Sequence, residues 1–266
     1  MTTIAGKVVW LTGASSGIGE ALAYELSKKM AKLILSARRI DELERVKKAC
    51  TGDPESIKLL TIDLENNFSL QQKVKEAETL FGYVDIVINN AGISQRDTVL
   101  NTSLDVDRKI MEINYFGTTT ISKLLLPKMI ERGRGHHVII SSTVGIINTP
   151  LRSTYGASKH ALHGFYDALR AECYKDNIQV TMILPGYIKT KISYNALLGN
   201  GQKQNKMDKG QKNGLSAEKC ARLIVKSIQN NKQEIYIGGI KEKLGIYLKR
   251  FFPNLAIKVI RKPGIT

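Results

Sequence analysis

Tyr155 and Lys159 stand four residues apart in a stretch, Thr154–Tyr174, whose apolar residues recur at helical spacing. Positions four apart share a helix face, so the phenol and the ammonium point into one site. A neighbouring ammonium favours the phenolate and draws the phenol's pKa down from its usual value of about 10. The pair therefore reads as a general acid/base working near neutral pH. Ser141 and Ser142 close the apolar run Val138–Ile140, which puts a hydroxyl at the carboxyl end of a strand, where open α/β sheets bind ligands. A serine there can hydrogen-bond a carbonyl or alcohol oxygen. Asn114 interrupts the apolar helical run Ile110–Phe116; asparagine is a poor mid-helix residue, so its position asks for a reason.

A second group of residues suits phosphate. After the first apolar run comes Thr12-Gly13-Ala14-Ser15-Ser16-Gly17-Ile18-Gly19, followed by an amphipathic helix. A glycine-rich turn from strand to helix lets the backbone approach a pyrophosphate, and the helix N-terminus offers it unpaired N–H groups. The spacing is GxxxGxG rather than GxGxxG. At the end of the second strand an acidic residue would bond the ribose 2′-hydroxyl of NAD. The residues there are Ser36-Ala37-Arg38-Arg39, and guanidinium forks suit a 2′-phosphate. These arginines point to NADP(H) over NAD(H).

The elements that must position these groups follow from hydrophobic patterning. Strand-like runs are Val8–Leu11, Leu33–Leu35, Ile57–Ile62, Val84–Ile88, Val138–Ile140, Val180–Leu184 and Glu234–Ile237. Helical patterns lie between them: Ile18–Lys28, Asp41–Cys50, Leu70–Phe81, Val106–Ile130, Thr154–Tyr174 and Ala217–Asn230. Unbroken apolar strands suit a parallel sheet buried on both faces, and parallel strands need helical crossovers. The expected fold is a single-domain, Rossmann-type, doubly wound α/β sheet of about seven parallel strands with helices on both faces. It occupies residues 1–238, with 239–266 as a basic amphipathic extension. Gly199–Gly214, with four glycines among Lys, Gln and Asn, reads as a mobile loop.

In combination these motifs resemble the short-chain dehydrogenase/reductases of the single-domain Tyr-x-x-x-Lys kind, from about Gly6 to Gly238. The resemblance rests on Thr12–Gly19, Asp63, Asn89-Asn90-Ala91-Gly92, Asn114-x-x-Gly117, Ser142, Tyr155-x-x-x-Lys159 and Pro185-Gly186 followed by Thr190. It implies a carbonyl/alcohol oxidoreductase in which Tyr155 is the acid/base and Ser142 orients the substrate oxygen. Lys159 would lower the tyrosine pKa and bond the nicotinamide ribose, and Asn114 would hold a water in a proton relay. It further implies that Gly13, Ser15, Ser16, Gly17, Ile18 and Gly19 hold the pyrophosphate and ribose, and Arg38 with Arg39 the 2′-phosphate. Asp63 and Leu64 would meet adenine, Asn90, Ala91 and Gly92 the ribose, and Pro185, Gly186, Ile188 and Thr190 the carboxamide. Many NADP-preferring members carry a basic residue where this chain has Ser16, so the cofactor preference rests on Arg38 and Arg39. The segments placed around the substrate (Ile93, Ser94, Gln95, Val144, Ile146, Tyr187, Ile192, Tyr194 and Leu197) are mostly apolar, which favours a lipophilic ketone, aldehyde or alcohol. The Ser36–Arg39 stretch, the Ser94-Gln95-Arg96 turn and the Tyr-Leu-Lys-Arg tail look like the dehydrogenase/reductase member 7 branch, associated with membranes and with steroid- and retinoid-like carbonyls. Homodimers or homotetramers are common in the family. Two other readings fit the same residues: a 3-oxoacyl thioester reductase, and a nucleotide-sensing protein that has lost catalysis. The intact Asn114, Ser142, Tyr155 and Lys159 argue against the latter.

Composition narrows the remaining classes. The chain has 266 residues, 40 basic and 24 acidic, net +16. Residues 203–266 hold 15 basic and four acidic side chains, so most of the excess is terminal. A phosphate-tracking surface interleaves basic and aromatic residues along the binding face; a terminal block reads as solvated surface, not a nucleic-acid site. Within it Leu244, Tyr247, Leu248, Phe251 and Leu255 recur at helical spacing, opposed by lysine and arginine, with Pro253 a break and Lys258, Arg261 and Lys262 extending the charge. Such a helix lies on a membrane, covers the cleft or pairs with another subunit. Three scattered cysteines make no closed disulfide framework, and no stretch reaches the roughly 18 apolar residues of a membrane span. Met1–Lys7 has no long apolar run, so the expected location is cytoplasmic, with at most peripheral membrane contact. His160-x-x-His163 and His136-His137 lack further ligands nearby in sequence, so no metal is expected. Asp85 reads as structural.

Overall fold

The computed structural model describes residues 3–261, apart from the side chain of Lys241. Lys262, the last cation of the basic tail, therefore lies outside the described residues, as do 1–2 and 263–266.

The chain runs β1 (Val8–Thr12), α1 (Gly17–Lys28), β2 (Lys32–Ala37), α2 (Ile40–Ala49), β3 (Ile57–Thr61), α3 (Asn67–Phe81), β4 (Ile86–Asn89), α4 (Leu104–Met111), α5 (Gly117–Glu131), β5 (Gly135–Ile140), α6 (Ser153–Glu172) and β6 (Ile178–Pro185). It continues with β7 (Ile188–Lys189), α7 (Lys209–Lys212), β8 (Leu215–Ser216), α8 (Ala217–Gln229), β9 (Glu234–Ile237), α9 (Ile240–Phe251) and α10 (Pro253–Ile260). Seven strands form one sheet in the order β3-β2-β1-β4-β5-β6-β9, and every neighbouring pair is parallel. All seven strand-like runs of the sequence are in it.

Alternation along each strand divides the core. Val9, Leu11, Leu33 and Leu35 face Leu22 and Leu26 of α1 and Ile224 and Ile228 of α8. Val8, Trp10, Ile34, Val87 and Ile139 face Leu70 and Val74 of α3, Ile121 and Leu125 of α5, and Leu162 and Tyr166 of α6. Each such fully buried side chain contributes about 1.5–3 kcal/mol by leaving water. The polar atoms taken into this core mostly have partners. The Trp10 indole donates to Ser36 Oγ at 2.8 Å, and Ser122 Oγ and Tyr166 Oη lie 2.6 Å apart.

The long helix expected over Val106–Ile130 is interrupted. Glu112–Phe116 is a π-helical turn between α4 and α5, and it contains Asn114. The extra residue of such a turn re-aims side chains, and here it lets a mid-helix asparagine face inward. His136 and His137 do not precede a strand; they lie inside β5. His136 Nε2 is 2.8 Å from Thr181 Oγ1 and His137 Nδ1 is 3.2 Å from Ser122 Oγ, so both have hydrogen-bonding roles the sequence did not reveal. Burial holds them neutral, pushing His136 down to about 4 and His137 down to about 3. Asp85 is structural: its Oδ2 accepts from the Val8 N–H at 3.0 Å.

Candidate active site

The strand order reverses direction at β1, whose neighbours are β2 and β4. Chain leaving β1 and chain leaving β4 turn to opposite faces there, which opens a crevice at the carboxyl edge. A cleft of about 1870 Å³ occupies that edge.

The glycine turn lies at its centre and is held by side chains of β1 and β4. Thr12 Oγ1 accepts from the N–H of both Asn90 and Ala91, each at 3.1 Å. Asn90 Nδ2 donates to the carbonyls of Thr12 and Gly13 at 2.9 and 3.1 Å. Gly13 and Gly17 have φ of 66° and 59°, backbone that a side chain would strain. A Cβ on Gly19 would lie 2.1 Å from the Gly13 carbonyl oxygen, so α1 packs on the turn only because that side chain is missing. Ser16 caps α1 without a side-chain bond to it, leaving the first N–H groups of the helix for an anion.

Of the residues expected at the site, Gly13, Ser15, Ser16, Gly17, Ile18, Arg38, Arg39, Asp63, Leu64, Asn90, Ala91 and Gly92 line this cleft. So do Ser142, Tyr155, Lys159, Pro185, Gly186, Ile188 and Thr190. Gly19 and Asn114 do not; they stand behind it. Asn114 is fully buried, and its Oδ1 accepts from the Ile93 N–H at 2.8 Å while Nδ2 donates to the Ile93 carbonyl and Ser158 Oγ at 2.9 and 3.0 Å. Arg38 is exposed and forms no ion pair among the described residues, whereas Arg39 lies 3.9 Å from Glu42. On the substrate side Ile93, Ser94, Val144, Tyr187, Ile192 and Leu197 line the cleft; Gln95, Ile146 and Tyr194 do not. Gln95 turns inward to Thr102 Oγ1 at 2.6 Å.

Ser142, Tyr155 and Lys159 converge. Ser142 Oγ donates to the Pro185 carbonyl at 3.3 Å and accepts from the Val144 N–H at 3.3 Å. Ser141 also lines the cleft, but its Oγ lies 3.1 Å from His163 Nε2. His160 sits on the Gly156 carbonyl at 2.8 Å, and no cluster of metal-ligating side chains exists among the described residues. The Lys159 ammonium donates to the Ile140 carbonyl at 2.8 Å and lies 5.9 Å from the centre of the Tyr155 ring. Burial pushes it down to about 8.

Tyr155 departs from the sequence expectation. Burial raises its pKa, opposed by its interaction with the Ser142 hydroxyl and by the charges of Arg96 and Arg152. The Lys159 ammonium, bonded to the Ile140 carbonyl, lies 5.9 Å from the centre of the same ring. The two arginines are residues that the sequence reasoning missed. Both are buried, at 8% and 4% exposure, and both bond Asp208 Oδ2, at 2.8 and 3.2 Å. Asp208 comes from the segment expected to be a mobile loop; its N–H is also bonded to Ser193 Oγ at 3.2 Å, so this part of the loop is tied to the cleft wall. A basic residue two positions after Ile93-Ser94 and another at the start of the Tyr155 helix carried no spacing signal, because their common partner is distant in sequence.

The tail is also placed. Glu242, Gly245, Leu248, Ala256, Val259 and Ile260 of α9 and α10 line the cleft, and Ile246 and Ala256 are buried. The apolar stripe read from the sequence divides. Leu248 faces the cleft, while Leu244, Tyr247, Phe251 and Leu255 are exposed. No described helix is long and apolar enough to cross a membrane.

Known proteins match this chain over nearly its full length. A family model described as short chain dehydrogenase covers residues 7–199. A human protein named dehydrogenase/reductase SDR family member 7 is 42% identical over 262 residues, 97% of this chain and 77% of the relative. Among solved structures, a short chain dehydrogenase/reductase from Burkholderia phymatum in complex with NAD superposes with a TM-score of 0.81 at 20% identity, over 99% of this chain and 98% of the other. A short chain dehydrogenase from Burkholderia cenocepacia in complex with NADP does so with 0.79 at 22%, over 98% and 100%. At such identities the structures speak for the fold.

The buried ammonium predicts a pH signature. Lys159 binds its proton less tightly in the folded chain (about 8) than in the unfolded one (10.5). Between those values the unfolded chain holds more protons, so folded stability gains from this residue as pH rises from about 8 to 10.5. Lys159→Met should flatten that rise, read as the difference in urea midpoint between variant and wild type across the window.

Proposed function

The chain belongs to the short-chain dehydrogenase/reductase family, in the branch of its member 7, and from that premise we propose that it interconverts a lipophilic ketone or aldehyde and its alcohol with NADP(H), Tyr155 being the acid/base. Family membership makes it an oxidoreductase of alcohols and carbonyls, and the NAD and NADP complexes of two proteins of the same fold support a nicotinamide cofactor. The observation that supports the finer reading is a protonated, buried tyrosine with a serine hydroxyl beside it, opening on the same cleft as the glycine turn.

The chain's own groups suit the dinucleotide. The turn Gly13–Gly19 and the free N–H groups of α1 receive the pyrophosphate, and exposed Arg38 with Arg39 receives the 2′-phosphate. Asp63 and Leu64 border adenine, Asn90–Gly92 and Lys159 the riboses, and Pro185, Gly186, Ile188 and Thr190 the carboxamide. When bound, the nicotinamide supplies or takes up hydride. Burial keeps the proton on the Tyr155 hydroxyl, which makes it an acid able to protonate a carbonyl oxygen in the reductive direction. Ser142, now donating to the Pro185 carbonyl, turns its hydroxyl to the same oxygen and steadies the charge developing there. Lys159 and Asn114 flank Gly92; the Lys159 ammonium is the source of a replacement proton for Tyr155, and Asn114 would hold a water in that relay. Apolar Ile93, Val144, Ile192, Leu197 and Leu248 receive the rest of the substrate.

In this reading residues 1–238 are the catalytic domain, and the protein works in the cytoplasm as a homodimer or homotetramer, a mass that light scattering reads directly. Residues 239–266 touch an anionic membrane. Ile240, Leu244, Tyr247, Phe251, Phe252 and Leu255 are exposed on α9 and α10, next to exposed Lys243, Arg250 and Lys258, a composition suited to an interfacial helix.

With NADPH and a panel of lipophilic ketones followed by NADPH absorbance, Tyr155→Phe should lower kcat by about 10²–10⁴-fold, the usual contribution of a positioned acid. Unchanged turnover would remove Tyr155 from the mechanism. Arg38→Ala should weaken NADPH by about tenfold or more and NADH little, since only the former carries the phosphate for a charge-assisted fork; equal losses would remove the 2′-phosphate role. Phosphatidylserine vesicles should co-sediment the full chain, and removal of residues 239–266 should release it.

A further inference from the structure

Arg96 and Arg152 raise a question of charge. Arg96 Nε and Arg152 Nη2 converge on one oxygen, Asp208 Oδ2, at 2.8 and 3.2 Å. Arg96 Nη1 donates to Ser94 Oγ and to the Gln95 carbonyl at 2.7 and 2.6 Å, and Arg152 Nη1 to Thr149 Oγ1 at 2.8 Å. Arg96 Nη2 and Arg152 Nε have no hydrogen-bond partner among the described residues. Both side chains line the cleft together with Tyr155.

Two guanidiniums that are more than nine-tenths buried thus share one carboxylate. Burying a charge without a counter-charge is costly, and the single carboxylate of Asp208 offsets only one of the two cations. Burial, and then the charge of Arg152, work against the proton on Arg96. Of the other carboxylates lining the cleft toward this side, Glu242 of α9 stands against Gly186, Gly238 and Gly239 and Asp105 pairs with Arg108. Arg96 and Arg152 are also the two charges that act on the Tyr155 hydroxyl, so the uncompensated cation lies within electrostatic reach of the reacting group. Arginine is the side chain best shaped to take a carboxylate through paired N–H donors. The same cleft is also lined by apolar Val144, Ile147, Ile192, Leu248 and Val259.

We propose that Arg96 and Arg152, bridged by Asp208, form a carboxylate-binding subsite beside Tyr155, so that the substrate is an oxo acid or hydroxy acid with an apolar body. The proposal rests on the oxidoreductase reading and narrows its substrate class. It also assigns Asp208 a defined part. The carboxylate holds the two cations together and takes up one of their charges, so it limits the attraction left for substrate.

The test compares 3- and 4-acetylbenzoate with their methyl esters, using NADPH and the whole chain. The better acid should exceed its ester in kcat/KM by about tenfold or more, the usual weight of a hydrogen bond to a charged group. Arg152→Gln should lower the acid more than the ester and erase the ratio, and Arg96→Gln should do the same if the first variant fails to fold. Asp208→Asn should move the ratio the other way, raising it, which a purely structural clamp would not do. Equal turnover of acid and ester by the wild type, a ratio untouched by both arginine variants, or an equal fall of acid and ester in Asp208→Asn overturns the subsite. Calorimetry with benzoate and methyl benzoate, in the presence of NADP⁺, separates the two levels of the argument. If neither ketone turns over but benzoate binds more tightly than its ester and loses that advantage in the arginine variants, the carbonyl chemistry falls and the subsite stands. If benzoate has no advantage over its ester, the subsite falls whatever the turnover.

Discussion

The carboxyl ends of β1 and β4 are joined through one threonine hydroxyl, and the rest of the site depends on that junction. Thr12 Oγ1 receives the N–H groups of Asn90 and Ala91, and Asn90 returns its amide to the carbonyls of Thr12 and Gly13. These are buried or half-buried polar groups, which are costly to leave unpaired, so the two strand ends cannot drift apart cheaply. The glycine turn is held open in the crevice by this junction, Gly19 lets α1 seat on it, and Ala91 and Gly92 enter the cleft at the same point. On the far side of β4, β5 carries Ser141 and Ser142 to the same edge through its register with Asn89.

Around that frame the site is a problem of buried charge. Lys159 loses affinity for its proton through burial, and its ammonium is stabilised by the Ile140 carbonyl. Tyr155 keeps its proton for the same reason, burial. Arg96 and Arg152 oppose that tendency from the substrate side. The protonation of the tyrosine is therefore set by a balance of desolvation, one serine hydroxyl and a guanidinium pair. In a low-dielectric pocket, small displacements of such groups are amplified, so the segments that carry Arg96, Arg152 and Asp208 are electrostatically part of the centre although they lie outside the strand edge.

The C-terminal helices join the cleft to the surface. One flank of α9 and α10 closes the substrate side with Leu248, Ala256 and Val259. The other exposes Leu244, Tyr247, Phe251 and Leu255, with Tyr247 and Phe251 stacked at 6.4 Å. Tight packing of a helix normally buries its apolar stripe. Here most of the stripe is outward, while Leu248, Val259 and Ile260 line the cleft together with Gly245 and Ala256, so the pair covers the cleft while presenting a greasy, basic outer side.

The sequence by itself determined the sheet, the order of elements along the chain, the glycine turn and the convergence of Tyr155 with Ser142. Each of these is carried by a local pattern: unbroken apolar runs, helical spacing, glycine where backbone must come close, a hydroxyl at a strand end. It also flagged Asn114, through a polar residue where a helix should be apolar, though not the π-helical turn that turns it inward. What only the tertiary structure decided are meetings between residues far apart in sequence. Arg96 and Arg152 meet Asp208 more than fifty residues away, His137 meets Ser122 across two elements, and the apolar stripe of the tail divides between the cleft and the surface. The physical reason is the same each time. Periodicity reports which face of an element is apolar. Burial and electrostatic neighbours depend on what the fold brings against that face, and they set the charge on Tyr155 and Lys159.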